Sequence, residues 1–403
     1  MAYCSGRDPL VTQQTLAGKQ ILIGVTGSIA AVETVKLVHA LRRKGAEVIP
    51  VMSEAAQGII HPGALTYASG KETITRLSGA VEHVKYCGDG GSVDLLLVAP
   101  ATANTIGKIA CGIDDTPVTT FATTALGSGK PVIIIPAMHH SMYRHPAVRK
   151  NIQTLKGWGV ELVDPVIEEE KAKIAGADEI VLRCERAVLG HPLKDKRVLV
   201  TSGACREPVD AVRVLSTRSS GRMGRELALH AFRLGADVTI VHRDSLPCVT
   251  NIPIETADDM REAVHRCFRE TGADYYISAA AISDFAPERR RGKIPSGKPV
   301  KLSLAPLPKI LDDVMKEYTT TVIAFKIGDN TEKQAQAMLA HGARMVVTNT
   351  PATMGSDRGD YICLTHSGRV PVSGTKDEVA AALWDAILHE GENTSRRAMS
   401  KKR

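Results

Sequence analysis

Small and hydroxylated residues recur at four places in the first half of the chain. Gly24-Val-Thr-Gly-Ser-Ile-Ala30, Met52-Ser-Glu-Ala55, Ala99-Pro-Ala-Thr-Ala-Asn104 and Pro136-Ala-Met138 each lie at the end of an apolar run. Backbone N–H groups with Ser and Thr hydroxyls can cradle a phosphate, and small side chains leave room for the edge of a ring. A full G-x-G-x-x-G is missing, which disfavours a dinucleotide and suits a mononucleotide such as FMN better. Taken singly, ordinary strand-to-helix turns would give the same strings. His83 and the pair His139-His140 are of the type that moves protons near neutral pH, although a lone histidine also serves as a packed or surface residue. Adjacent side chains on an extended chain point apart, so His139 and His140 are not expected to share a metal.

Past residue 200 the motifs suit a more highly charged ligand. Ser219-Ser-Gly-Arg-Met-Gly224 opens a helical pattern, where hydroxyl caps, glycines and an arginine make an anion site; a plain capped helix reads the same way. Ala279-Ala-Ala-Ile-Ser-Asp284 ends an apolar run in an acid placed to hold Mg2+ or a ribose hydroxyl. Arg289-Arg-Arg-Gly-Lys293 follows. Such a run is either solvated or, beside an anion-binding helix start, able to close over a triphosphate.

These motifs need strands and helices to position them. Residues 20–25 read as a buried strand, 27–28 as a turn, and 29–44 as a helix with Ile29, Val32, Val35, Val38 and Leu41 on a helical period. Gly45 ends that helix and a strand follows over 46–51. The unit recurs: a strand at 197–201, a turn at Ser202-Gly203, a turn and helix over 221–234, then a strand over 235–240. Two such units predict an α/β protein of two doubly wound, Rossmann-like domains, the first flavodoxin-like. The expected divisions are an extension 1–17, a domain 18–190, a domain 191–390 and a tail 391–403, with Leu189-Gly-His-Pro192 at the junction.

At 403 residues, two or three domains of ~150 residues are expected. The net charge of +7 looks like a hint of polyanion partners until it is located. The last thirteen residues carry five cations against Glu392, so the other 390 residues net only +3. A folded basic face for nucleic acid is therefore not expected, and 4% aromatics gives little for bases to stack on. The basic tail is expected to be solvated and unstructured. The eight cysteines show no C-x-x-C spacing, which leaves a zinc site or redox dithiol without support. No secretion-signal pattern opens the chain, and its apolar runs have strand length, so a soluble cytoplasmic protein without membrane contact is expected.

In combination and in this order, these strings, with Arg206-Glu-Pro-Val-Asp210, resemble the bifunctional coenzyme A biosynthesis family over roughly residues 18–350. That family fuses a phosphopantothenoylcysteine decarboxylase to a phosphopantothenate–cysteine ligase. The resemblance implies that the first domain binds FMN through Gly27, Ser28, Ile29, Ser53, Thr102, Ala103 and Asn104, with Ala137 and Met138 nearby. It makes His83 the active-site base or substrate-orienting group. Trimers that build the site between subunits are implied as well. His139 stands where bacterial members have a substrate-binding Asn, and residues 168–175 lack their reprotonating cysteine. Both features are similar to the archaeal branch, which leaves the proton to Lys171, Lys173 or another group.

For the second domain the resemblance implies a CTP- and Mg2+-dependent ligase, dimeric, that activates 4′-phosphopantothenate as an acyl-cytidylate for attack by cysteine. Ala280, Asp284, Lys293, Pro308, Lys309, Ile310, Leu311 and Phe325 map to nucleotide contacts, with Asp284 toward the metal. Arg213 maps beside the reacting acyl group, and Lys293 to the phosphates. Several family residues are replaced: an Asn by Thr217, an acid by Gly328, and two phosphate-binding lysines by Ala337 and His341. Arg344, Lys333 or the Arg289–Arg291 run are the candidate substitutes. The competing readings are a decarboxylase with a degenerate ligase half, and a non-catalytic flavin-binding regulatory protein.

Overall fold

The computed structural model describes residues 14–164, 166–168, 171–173, 175–288, 290, 292–329 and 331–400, with backbone alone at 166–168, 171–173 and 391–400. The chain divides into two compact units, Met1–Leu189 and Gly190–Arg403.

In the first unit, parallel strands β1 (Gln20–Val25), β2 (Glu47–Met52), β3 (Leu95–Ala101), β4 (Val132–Pro136) and β5 (Glu161–Leu162) lie in the order β2-β1-β3-β4-β5. The strands read as unbroken apolar runs because both faces are covered. Odd-numbered Ile21, Ile23, Leu95 and Leu97 pack with Leu37 and Leu41 of α1 (Thr34–Arg43), whereas Leu22, Leu96 and Val98 pack with Phe121 on the other face. Also in this unit are α2 (Glu82–Cys87), α3 (Ala103–Ala110), α4 (Pro117–Gly127) and α5 (Ala177–Val188). Gly45 closes α1 at φ +94°, its Cα so near the backbone of Ala17 that a Cβ would lie 3.0 Å from it.

The helix read from Ile29 onward begins as a 3-10 turn, Ile29–Glu33, and becomes α-helical only at Thr34. Ile29 is 78% exposed, so the period's first apolar residues do not face the core.

In the second unit, β6 (Arg197–Thr201), β7 (Asp237–His242), β8 (Thr250–Pro253), β9 (Tyr275–Ser278), β10 (Thr321–Ile327) and β11 (Met345–Asn349) are parallel, in the order β8-β7-β6-β9-β10-β11. An antiparallel hairpin, β12 (Arg358–Thr365) and β13 (Gly368–Thr375), extends the β11 edge. Helices α6 (Arg222–Arg233), α7 (Ala257–Glu270), α8 (Ile310–Glu317), α9 (Glu332–Ala340) and α10 (Lys376–Ser400) complete it. The helical backbone of α10 takes in residues 391–400 of the segment expected to be unstructured. Buried Trp384 anchors α10 by donating Nε1 to the Leu227 carbonyl of α6 at 2.9 Å, and Asp377 accepts from Arg233 at 3.3 Å and pairs with His230 Nε2 at 2.8 Å. Truncating a buried Trp to Ala costs ~3–5 kcal/mol, so this junction is a strong fixture of the unit.

Candidate active sites

The first unit carries a cavity of about 1110 Å³ outside the carboxyl ends of its strands, just above the range of ordinary small-ligand sites (~300–1,000 Å³). Gly27, Ser28, Ile29, Thr102, Ala103, Ala137, Met138 and His139, to which the resemblance assigns flavin and substrate, line it. Two of its turns are locked together by one buried side chain. Thr26 Oγ1 donates to the Pro100 carbonyl at 2.8 Å and accepts from the Thr102 N–H at 3.0 Å. Ser28 and Thr102 then cap the elements that follow, their hydroxyls accepting from Ala30 N and Thr105 N. The Gly27 turn has no spare room, because a Cβ there would lie 2.6 Å from the Ala55 Cβ. Gly27→Ala should therefore displace this turn and weaken retention of the flavin that the resemblance implies by ~10-fold or more, since overpacking costs ~1–3 kcal/mol. Flavin absorbance after gel filtration checks it; an unchanged flavin-to-protein ratio would overturn the role of this turn.

Ser53, Asn104 and His83 do not line this cavity. Ser53 is buried and caps residues 54–57, accepting from Ala56 N; it braces Ala55 against Gly27. Asn104 is exposed in the first turn of α3. His83 sits on α2, and its Nδ1 is buried without a hydrogen-bond partner. His139 belongs to a two-residue strand, Met138–His139, paired antiparallel with Lys171–Lys173. The side chains of Lys171 and Lys173 lie outside the described residues. The motifs gave no signal for Glu33 and Lys36, which also line the cavity and pair with each other at 2.9 Å.

In the second unit a small pocket of about 100 Å³ is lined by residues 219–224, Ala279, Ala280, Ala281, Phe325 and Lys376, among others. Gly221 holds φ +70°, and a Cβ on Gly224 would lie 2.5 Å from Ser202 Oγ, so the glycines let α6 start against the end of β6. Thr217 donates its hydroxyl to the Ala281 carbonyl at 2.9 Å, tying this loop to the segment that ends in Asp284. Asp284, Lys293, Pro308 and Lys309 are exposed and stand outside the pocket. Ile310 is a core residue and Leu311 packs against that core, so they offer a nucleotide little beyond backbone. Among the described residues no three His, Cys, Asp or Glu side chains converge on a metal position. Asp284 fits Mg2+ only in the manner of sites completed by substrate phosphates and water.

Arg213 and the backbone next to Lys293 are tied together by Asp210, a residue the motifs contained without a role. Asp210 is 3% exposed, and its carboxylate accepts from Ile294 N at 3.0 Å, Val212 N at 2.8 Å, Arg213 N at 2.7 Å and the Arg213 guanidinium. The Ile294 N–H first, with the other donors, holds this carboxyl far below the usual range. Backbone bonds from Ala211 to Gly292 (3.1 Å) and from Arg290 to Val209 (3.1 Å) complete the clasp around Lys293. Arg289 and Arg291 lie outside the described residues.

Residues 10–188 match a family model described as Flavoprotein, and residues 193–390 one described as DNA/pantothenate metabolism flavoprotein C-terminal domain. The coenzyme A biosynthesis bifunctional protein CoaBC of Thermococcus kodakarensis is 44% identical over 387 residues, 92% of this chain and 95% of that protein. The chain belongs to the bifunctional coenzyme A biosynthesis family. The protein of that name from Methanocaldococcus jannaschii is 33% identical, over 92% of this chain and 94% of its own. The crystal structure of the C-terminal domain of a CoaBC protein aligns at 30% identity and a TM-score of 0.42, covering 51% of this chain and 100% of that one.

As a member of this bifunctional family the chain is an enzyme of coenzyme A biosynthesis, a flavoprotein decarboxylase half followed by a ligase half. Its replaced residues then read as local changes of structure. Gly328 holds φ +145°, a conformation that a side-chain-bearing acid would adopt only with strain. His341 is exposed and folded back on its own helix, Nδ1 2.7 Å from the Ala337 carbonyl. Neither 337 nor 341 supplies a lysine, and Arg344 is engaged with the Glu390 carbonyl.

Proposed function

We propose that the second unit joins cysteine to 4′-phosphopantothenate with CTP, and that the first decarboxylates the product to 4′-phosphopantetheine with FMN. The observation that carries this reading is the pair of ligand-facing turns locked through Thr26 above a cavity of mononucleotide size. A free carboxylate cannot lose CO2 without somewhere for its electron pair to go. Bound FMN would supply that place by oxidising the neighbouring thiol to a thioaldehyde and then returning the two electrons to the enethiol. The chain's residues hold and orient. The Gly27-Ser28 and Thr102-Ala103 turns would present N–H groups and hydroxyls to the phosphate and ring edge, and Ala137 and Met138 would pack on the ring. His139 would meet the substrate at the cavity wall.

His83 is assigned as the base, delivered by another copy of the chain in a trimer. Exposed apolar side chains support this: Val81 and Val84 flank His83, and Ile29 and Val32 stand at the cavity, each 47–78% exposed. A histidine outside one chain's cavity and an uncovered apolar rim both fit a site closed by a neighbour.

In the ligase half the substrate carboxylate attacks the α-phosphorus of CTP and pyrophosphate leaves. The cysteine amine then attacks the acyl carbon and CMP leaves. Lys293 and Arg213, held by Asp210, would neutralise charge as it develops on the phosphates and acyl group, and Asp284 would share Mg2+ with the phosphates. This half is read as a dimer. Among the described residues no helix is long and apolar enough to cross a membrane, and the seven described cysteines are free, which suits a reducing cytoplasm.

Mass spectrometry of a mixture of the protein, phosphopantothenate, cysteine, CTP and Mg2+ should show phosphopantetheine and CMP. Phosphopantothenoylcysteine that accumulates would overturn the decarboxylase assignment. A product formed only when that intermediate is added would overturn the ligase assignment.

A further inference from the structure

The pocket at the start of α6 contains a cation that no motif announced. Lys376 opens α10, is 8% exposed, and lines this pocket together with Ala280 and Phe325. Its Nζ has one hydrogen-bond partner among the described residues, the Thr353 carbonyl at 3.4 Å, and no carboxylate within ion-pair distance. Burying an ammonium with two donors unanswered is costly, and a chain keeps such a group where an anion arrives. Burial first, then the nearby Arg222, pushes its pKa down, as expected of a charge awaiting a partner. Asp357 opposes this charge from outside ion-pair distance, and that carboxylate is exposed and already paired with Arg222.

Two further features converge on the same space. Helix α6, twelve residues long, begins at Gly221 without a side-chain cap, so its first N–H groups and dipole face the pocket unanswered. Arg222 lines the pocket too. The volume of about 100 Å³ lies below the ~300 Å³ of a whole-ligand site and suits phosphate groups rather than a base and sugar. Lys376 is also held rigidly, because Asp377 and Trp384 fasten α10 to α6 on either side of the chain's buried junction.

We propose that Lys376 binds the phosphate chain of the ligase half's nucleotide, in a polyphosphate subsite completed by Arg222 and the N-terminus of α6. The assignment rests on the ligase reading above. It places the cationic charge that is missing from Ala337 and His341 on the far side of the fold's sequence, at the start of the last helix.

The test is calorimetric titration of the full chain, with Mg2+, against CTP, CMP and inorganic tripolyphosphate. Lys376→Met should weaken CTP and tripolyphosphate by at least ~10-fold, the loss of one charge-assisted hydrogen bond, and leave CMP within about twofold. Its melting temperature should match or exceed wild type, since an uncompensated buried charge has gone. Lys376→Gln gives the same readout with a second side chain. Equal CTP affinity in wild type and variants overturns the subsite, as does CMP weakened as much as CTP. Both variants melting well below wild type overturns it too, because the lysine would then be structural. A wild type that binds neither CTP nor tripolyphosphate overturns the ligase reading itself, so the two failures are separated by the wild-type titration.

Discussion

Asp210→Asn should lower ligase kcat/KM by ~10²-fold, the cost of a reacting group misplaced by about an ångström, while decarboxylation of supplied phosphopantothenoylcysteine stays unchanged. The physical reason is the direction of the hydrogen bonds. Asp210 accepts four, from three backbone N–H groups and the Arg213 guanidinium, and donates none. An amide in the same place turns one acceptor into a donor that faces N–H groups, so at least one bond fails. Because Ile294 and Arg213 share this carboxylate, the failure releases the Lys293 loop and the arginine together. A loss confined to kcat, with substrate KM nearly unchanged, would identify a positioning role; equal loss of decarboxylation would reveal general unfolding and sink the assignment. The pH dependence has a definite sign. The folded carboxyl titrates below its unfolded value of ~3.9, so its stabilising contribution is complete above that pH. It is lost only as pH falls from there toward the folded value. Wild type and variant should therefore differ by a constant margin in melting experiments between pH 7 and 5, and converge only in stronger acid.

What the sequence made legible was whatever depended on near neighbours. Gly27-Ser28 after β1 and Ser219–Gly224 before α6 were visible because turn residues, caps and strand ends lie within a few positions of one another. The period through Ile29 and Val32 misled for the same reason: apolar spacing reports that a face is covered, without saying by what. Here those residues face the cavity and solvent, whereas Ala31, Leu37, Val38 and Leu41 are buried in the core and Val35 packs against it. Long-range closures left no local trace. Asp210 meets Ile294 across 84 positions and Thr26 meets Pro100 across 74. Lys376 reaches the pocket at the start of α6 from the far end of the domain, in a stretch whose local pattern announces only a helix start. The resemblance maps Ile310 to a nucleotide contact, whereas its side chain belongs to the core and leaves only backbone for that role.

Mixing two inactive variants should restore decarboxylation. His83→Asn should retain flavin and lose turnover, because Asn keeps a hydrogen-bonding side chain but cannot take a proton near neutral pH. Gly27→Val should lose flavin, because its branched side chain starts from a Cβ already 2.6 Å from that of Ala55. Each chain then carries one intact element: the first a sound cavity, the second a sound His83. If His83 acts in its own chain's cavity, every cavity in a mixture stays defective and activity remains at background. If it acts in a neighbour's, co-refolded mixed trimers contain sites that pair a sound cavity with a sound histidine, and activity returns. The structure argues for the second outcome. Helix α2 is entered through Val81 at φ +47°, a left-handed conformation that costs a β-branched residue ~1–3 kcal/mol, and half-buried His83 lies between exposed Val81 and Val84. The Nδ1 of His83 is nonetheless buried and unpartnered, and among the described residues His139 is the cavity's one histidine. Activity that fails to return in mixtures shown by mass spectrometry to contain both chains would place His83 in its own chain's site and overturn its delivery by a neighbour.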